Sequence, residues 1–279
     1  MDIEAYKRFL MKEGYSPLTI RKYVNLLNSI DVDLDTTDPY LVAEYLYNLP
    51  RTIEAKNNLA KAINSYYRFR NNAFRLKLRP KRGADIWVPS EAQKNRVLSA
   101  TWENPVLNAR NRLFLRVLFE TGIRVSEAIK LQFNNVHRRG DQYYITVTGK
   151  NNKVRQVPIT PQLYATIWEY RDTYAPHHKY IFYSLTDPTK HITDKTARKI
   201  CKQAGHQAGV PQFHPHAARH YRAIQLIEAG VSLETIRRLL GHSTLNTTQI
   251  YLRGTTTIIQ KELQQKDPLF KQPRGGAKK

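Results

Sequence analysis

The chain has one cysteine, Cys201, among 279 residues, so neither an internal disulfide nor a thiolate metal cluster can form. It has no apolar run approaching the roughly 18 residues of a membrane-spanning helix, and no apolar core of a secretory leader near residue 1. The expectation is a soluble protein that stays in the cytoplasm where it is made. Internal repeats are missing, and low complexity is confined to the Gly/Lys-rich last six residues. Acidic residues are scarce: 23 Asp and Glu stand against 45 Lys and Arg, a formal charge of +22. An excess of that size predicts a polyanionic partner, nucleic acid being the commonest and a membrane surface the rival that the missing apolar segments disfavour. What the chain does have is 41% hydrophobic residues, enough for a packed core, which argues against wholesale disorder.

Residues 1–72 read as helical. Ser16-Pro17 joins a hydroxyl cap to a proline in the first turn, and Ile20, Tyr23, Val24, Leu27 and Ile30 then share one apolar face. Asp38-Pro39 repeats the start signal ahead of Leu41, Val42, Tyr45, Leu46 and Leu49. A third helix is predicted near 52–70, ending in the basic and aromatic run Tyr66-Tyr67-Arg68-Phe69-Arg70. Such a region is either a bundle with a solvated charged face or one that grips DNA, with Lys22, Arg68 and Arg70 as candidate contacts. Residues 73–88 read as a linker punctuated by Pro80 and Gly83. A plain tether has no need of Arg75, Lys77, Arg79, Lys81 and Arg82; a strap across a phosphate backbone does.

A second domain is predicted from residue 89. Ser90 and Gln93 fit a capping box, and a helix near 106–121 carries Leu113, Phe114, Val117 and Leu118 up to Gly122. In the following Ile123-Arg124-Val125-Ser126-Glu127, Arg124 sits at a helix–turn–helix junction. Ser126 is the expected cap of the next helix, and Glu127 is placed to pair with Arg124 or hold its loop. Period two then takes over: Tyr143, Ile145 and Val147 alternate with Tyr144, Thr146 and Thr148. Gly149-Lys150-Asn151-Asn152 turns the chain, and Val154, Val157 and Ile159 return. Lys150, at or near the tip, is either solvated or reaches a bound ligand. Helices resume at Thr160-Pro161 to near 170, after Thr193 to near 204, from Pro215 with Ala217, Tyr221, Ile224 and Ile227 inward, and after Ser232 with Leu233, Ile236 and Leu240 buried. Tyr251 follows in a short piece begun by Thr244, and Ile258, Ile259 and Leu263 suggest a last amphipathic helix. The fold class is mainly α with a small β-hairpin or sheet, an α+β chain of two domains.

The chemistry concentrates in residues 214–251. His216 and Arg219, three apart, share a helical face; His242 follows Leu240-Gly241, and Tyr251 lies nine residues further on. Singly, each has an ordinary structural reading: a cap, a surface charge, a core histidine, one of 17 tyrosines. His216 and His220 have the i, i+4 spacing of a helical metal pair, but no acidic residue lies between them and no third ligand is evident. Together, an arginine and two histidines suit an anion, and the tyrosine beside them is a candidate nucleophile.

Taken in order, these residues resemble the tyrosine recombinases, or phage-type integrases. The resemblance runs through Thr-Gly-Ile-Arg124-Val-Ser-Glu127, Gly-Lys150 with Arg155-Gln-Val-Pro158-Ile downstream, His-Pro-His216-Ala-Ala-Arg219-His, Leu-Gly-His242 and Thr-Thr-Gln-Ile-Tyr251. It is specific over 89–255 and generic in front. It implies a helical core-binding domain over 1–72, the linker 73–88 and a catalytic domain over 89–255; the apolar Ile258, Ile259 and Leu263 after the nucleophile suggest a tail over 256–279 that docks on a neighbouring protomer. The two domains would form a C-shaped clamp on DNA. The implied activity is site-specific recombination through a covalent 3′-phosphotyrosine and a four-way junction, with no metal or nucleotide cofactor. The implied assembly is a homotetramer on two duplexes carrying inverted-repeat sites, formed from free monomers associated with the nucleoid. Arg124 and Arg219 can hold the non-bridging phosphate oxygens as planar, permanently charged forks. His242 can donate to the same oxygens. Tyr251, with an ordinary phenol pKa of about 10, needs a base or a field to attack. The resemblance puts His216 beside it for that proton, Lys150 as acid to the departing 5′ oxygen, Glu127 in support and Arg155 on the DNA. Strand relaxation by the same chemistry, and a DNA-binding protein without catalysis, are the alternatives.

Overall fold

The computed structural model describes residues 1–79, 86–149 and 152–241. Lys81, Arg82, Lys150, His242, Tyr251 and the segment 256–279 lie outside the described residues. The chain divides into two compact units between Ala84 and Asp85.

The first unit holds α1 (Ile3–Lys12), α2 (Pro17–Leu27), α3 (Pro39–Asn48) and α4 (Ile53–Phe69). Each starts where a side chain accepts one of the free amides of the first turn. Asp2 accepts from Ala5 at 2.9 Å, Ser16 from Thr19 at 3.3 Å, Asp38 from Tyr40 at 2.7 Å and Thr52 from Ala55 at 3.2 Å. The sequence reading names the last three starts and passes over Asp2, whose helix is short and buries only Tyr6 and Leu10. Tyr6, Leu10, Leu27, Leu59, Ile63, Tyr66 and Tyr67 close the core. At about 1.5–3 kcal/mol for each fully buried large side chain, this packing outweighs any single cap. Tyr66 keeps its polar end partnered, donating to Asp35 at 3.0 Å and accepting from the Asp2 amide at 3.2 Å.

Residues 73–79, expected to open the linker, run alongside α4. Asn64 accepts the Leu76 amide at 2.8 Å and donates to the Leu76 carbonyl at 2.9 Å. Asn57 does the same with Arg79, at 2.9 Å in both directions.

The second unit contains α5 (Glu91–Leu98), α6 (Pro105–Thr121), α7 (Val125–Ala128), a 3₁₀ turn (Phe133–Asn135), β1 (Val136–Arg139), β2 (Gln142–Thr148), β3 (Val154–Pro158), α8 (Pro161–Tyr174), α9 (Asp194–Gln207), α10 (Pro215–Glu228) and α11 (Leu233–Leu240). The capping box of α5 has both its bonds, Gln93 amide to Ser90 at 3.2 Å and Ser90 amide to Gln93 at 2.8 Å. Apolar side chains on α6 pack against α5, α8 and α10, and Gly122, at φ 64°, turns the chain off its end. Phe114, Leu118, Phe182, Ile167 and Ala217 lie in one core with Ile145 and Val157 of the sheet. The sheet is antiparallel, ordered β1-β2-β3, with Val136 opposite Ile145, Ile145 opposite Val157, and Val147 opposite Arg155.

Three expectations shift. The hairpin gains β1 as a third strand, a four-residue segment whose His-Arg-Arg carries no apolar alternation to reveal it. Helix α8 continues to Tyr174, where an intact ladder carries it past 170. On α10 the buried position is Ala223 and Ile224 is only half-buried, so the smaller residue lies at the close approach. Among the described residues, no helix is long and apolar enough to cross a membrane.

Candidate active site

The site grows from the loop between α6 and α7. Arg124 is the N-cap of α7, and its backbone amide donates to Glu127 Oε2 at 2.8 Å. This corrects the expectation for Ser126, which is exposed inside the helix. A carboxylate three residues past the cap answers the free amide and suits the positive end of the helix dipole better than a hydroxyl. The same carboxylate receives the Arg124 side chain, Nη1 to Oε1 at 3.0 Å.

The second component is the C-terminal end of α11. The last carbonyls of any helix lack partners within the helix. Here Leu239, Leu240 and Gly241 each receive one arginine from a different part of the chain. Arg155 Nε donates to Leu239 at 2.8 Å, Arg219 Nη2 to Leu240 at 2.7 Å and Arg124 Nη2 to Gly241 at 2.6 Å. Cations also suit the negative end of the helix dipole. Gly241 lies in the left-handed region at φ 68°, and its open α-carbon faces the Arg155 guanidinium, where a β-carbon would sit 2.9 Å from Cζ. Arg219 reaches further still: its Nη1 donates to the Gly122 carbonyl at 2.8 Å, tying the end of α6 to the end of α11.

Glu127 is a carboxylate bound by two of these arginines. Its side chain is 2% exposed, held by Arg124 on one side and by Arg155 on the other, Nη1 to Oε1 at 3.0 Å and Nη2 to Oε2 at 2.8 Å. Burial alone would raise its pKa, but the bonds from Arg155 and the Arg124 amide, with both positive charges, hold it below the usual carboxylate value. It is therefore ionised, and the two guanidiniums bonded to it, with Arg219 at the neighbouring carbonyl, leave an excess of positive charge, the electrostatics of an anion site.

His216 stands at the exposed start of α10, one turn before Arg219. Partial loss of hydrating water, then the neighbouring His214, Arg219, Arg198 and Arg124, hold its pKa below 6.5. His220 is pushed down to about 4, again by desolvation first and then by His216, His214 and Arg219. Both imidazoles are neutral at pH 7 and can accept a proton. Their ring centroids are 6.4 Å apart, and among the described residues no three His, Cys, Asp or Glu side chains group as metal ligands.

Of the residues singled out by sequence, the structure gathers Arg124, Glu127 and Arg219, with His216 near enough to feel both arginines. Arg155, expected on the DNA, has a side chain 15% exposed and turned onto Glu127 and Leu239. The first unit carries the other cations on its own surface. Lys22 donates to Asn58 at 3.3 Å, Arg68 pairs with Glu13 at 2.9 Å and Arg70 with Asp35 at 2.9 Å. Arg75 donates to the Asn72 and Phe74 carbonyls, Lys77 is exposed, and Arg79 lies 4.3 Å over the Tyr47 ring. Sequence reasoning missed the three carbonyls of α11 and the inward turn of Arg155. The second had a signal, because Arg155 shares its strand face with buried Val157.

Residues 90–257 match the model of the phage integrase family. The tyrosine recombinase XerA of Thermococcus kodakarensis is 31% identical over 270 residues, covering 93% of each chain. XerA of Pyrococcus furiosus is 30% identical over 261 residues, covering 91% of this chain and 89% of its own. This chain is a tyrosine recombinase of the phage integrase family. It is an enzyme of site-specific DNA recombination. The XerH site-specific recombinase, in a post-cleavage complex with palindromic difH substrate, shares the recombinase's fold with a TM-score of 0.68 at 20% identity, covering 88% of this chain and 77% of that one. The family match begins at Ser90, the cap of α5, and runs past Tyr251, so every element from α5 to α11 and all the candidate catalytic residues of the recombinase lie inside it.

Proposed function

We propose that the recombinase cleaves DNA with Tyr251 and rejoins it to a new partner strand, using Arg124, Lys150, His216, Arg219 and His242 around the scissile phosphate and Glu127 in support. The Tyr251 oxygen attacks phosphorus, its proton passes to His216, and the bond to the 5′ oxygen breaks as Lys150 supplies that oxygen with a proton. One phosphodiester is exchanged for a 3′-phosphotyrosyl ester and a free 5′ hydroxyl, so the reverse attack by another 5′ hydroxyl reseals a strand without a nucleotide. Arg124 and Arg219 hold the non-bridging oxygens, where charge grows in the transition state, and His242 donates to the same oxygens. The observation that carries the reading is the arginine-capped end of α11. Arg124 and Arg219 meet there, one peptide bond from His242. Neutral His216 beside them is in the protonation state a base requires.

In the same reading, residues 1–72 are the core-binding domain, with Lys22, Arg68 and Arg70 on DNA. Residues 73–88 cross the backbone through Arg75, Lys77, Arg79, Lys81 and Arg82. Monomers assemble as a tetramer on two duplexes with inverted-repeat sites, in the cytoplasm beside the nucleoid, and exchange strands through a four-way junction. Residues 256–279 dock on the neighbouring protomer.

Covalent capture tests the chemistry. The protein is mixed with nicked, fragmented DNA from its source and stopped with detergent, and the ends of the linked DNA are sequenced. The expected adduct carries ends at one sequence and disappears in Tyr251→Phe, which still binds DNA. An adduct that survives that substitution assigns the nucleophile elsewhere, and scattered ends would be those of a strand-relaxing enzyme.

A further inference from the structure

Arg155 has no part in the chemistry above, yet it touches Glu127 and the end of α11 and stands on the strand that leaves the β2–β3 turn. It stands on β3 opposite Val147, on the strand face that also buries Val157. Its two terminal nitrogens hold both oxygens of Glu127, at 3.0 and 2.8 Å, while its Nε caps the Leu239 carbonyl at 2.8 Å. Glu127 in turn holds the Arg124 amide and side chain. At the base of the turn, the Gly149 amide donates to the Lys153 carbonyl at 2.8 Å, and a β-carbon on Gly149 would lie 3.2 Å from Glu127 Oε1. Gly149 precedes Lys150, and Leu239 is three residues before His242.

We propose that Arg155 is a positioning residue for strand cleavage, locking the Arg124 loop, the base of the β2–β3 turn and the end of α11 into one unit. The proposal rests on the catalytic reading of Arg124, Lys150, His242 and Tyr251 given above. The physical reason is geometric. A planar guanidinium offers a fork for the Glu127 carboxylate and a third N–H for the Leu239 carbonyl, and Arg155 itself stands on the strand that leaves the β2–β3 turn, so one side chain ties three bodies together. Lysine has the charge without the fork. Arg155 is thus distinct from a phosphate contact, which would have left its guanidinium facing solvent.

The test uses the full chain and duplex DNA carrying the site found by covalent capture, with the wild type, Tyr251→Phe, Arg155→Met and Arg155→Lys side by side. Single-turnover cleavage at saturating DNA is read against DNA affinity at several salt concentrations. For Arg155→Met the expected result is affinity within about threefold of wild type, an unchanged salt slope and cleavage slowed on the order of 100-fold, as for an ångström-scale misplacement. Arg155→Lys recovers part of that rate. The rate–pH profile supplies a second readout. Among the described residues Arg124 and Arg155 are the charged groups facing Glu127, so losing one moves the acid limb of cleavage to higher pH, and Glu127→Gln in the Arg155→Met background abolishes the shift.

Wild-type cleavage by Arg155→Met would overturn the proposal. So would weakened affinity with a salt slope shallower by about one and an unchanged rate, the behaviour of a phosphate contact. If Arg155→Met does not fold, Arg155→Lys carries the same test: a wild-type rate and profile overturns, and a slowed rate at unchanged affinity supports. A wild type without a Tyr251-dependent adduct overturns the catalytic reading instead, and the proposal falls with it.

Discussion

Adding one methyl group at Gly241 measures how firmly Arg155 holds the end of α11. Gly241 sits at φ 68°, and an alanine β-carbon would stand 2.9 Å from both Cζ and Nη1 of Arg155 and 3.2 Å from Nε. Two costs add. An L-residue in the left-handed region loses about 1–2 kcal/mol. Displacing the guanidinium then weakens at least one charge-assisted bond to Glu127 or Leu239, a further ~1.5–3 kcal/mol. Gly140 supplies the control: at φ 58° with nothing within 4 Å of an added β-carbon, Gly140→Ala carries the backbone cost alone. The three tryptophans, Trp87, Trp102 and Trp168, all follow Asp85, so urea unfolding read by tryptophan fluorescence reports the second unit. Gly241→Ala should be less stable than Gly140→Ala by about 1.5–3 kcal/mol, or roughly 3–12 °C in a melt of a domain this size. Equal destabilisation of the two variants would refute the reasoning, because it would leave the guanidinium free to step aside without loss.

Three further outcomes are expected. His220 falls from 6.5 in the ordinary state to about 4 in the fold, so as pH drops the unfolded chain takes up the proton first; stability should decline from pH 6.5 towards 4, and His220→Asn should flatten that slope in urea titrations at stepped pH. Lys77→Gln and Arg79→Gln should each make the log-affinity versus log-salt slope for DNA shallower by about one, read by fluorescence anisotropy, and an unaltered slope would remove that residue from the phosphate backbone. Lys150→Ala should cleave ordinary DNA slowly but recover on DNA with a 5′-bridging sulfur, which departs without a proton, and a lack of recovery would remove Lys150 as the acid.

Much of this molecule can be read from its residues because the signals are local. Ser16, Asp38, Thr52, Ser90, Thr160, Thr193 and Ser232 mark helix starts by supplying an acceptor within three residues. Arg124, Glu127 and Arg219 fall into recognisable strings for the same reason. The features that escaped are long-range or cryptic. Nothing in the spacing of Arg155 and Glu127 tells that they meet, and the carbonyls of Leu239, Leu240 and Gly241 have no side-chain signature at all. Ser126 misled because a hydroxyl is a good cap in general, whereas here a buried carboxylate one residue on takes the amide. Strand parity could have turned Arg155 inward, but its charge argued for the surface, and only the matching carboxylate resolves that conflict.

The two asparagines on α4 set a register for the chain that leaves the first unit. Asn57 and Asn64 are seven residues apart, a helical rise of about 10.5 Å, and their partners Arg79 and Leu76 are three apart, a span of about 10 Å if drawn out. The two lengths agree only for an extended segment running antiparallel to the helix. Within it Leu76 is turned in while Arg75, Lys77, Leu78 and Arg79 are exposed. A slip of one residue would carry Leu76 out of its place and break all four amide bonds together. Composition gives this segment its charge, and the paired amides give that charge a direction; a chain with leucine at 57 and 64 would keep the first and lose the second.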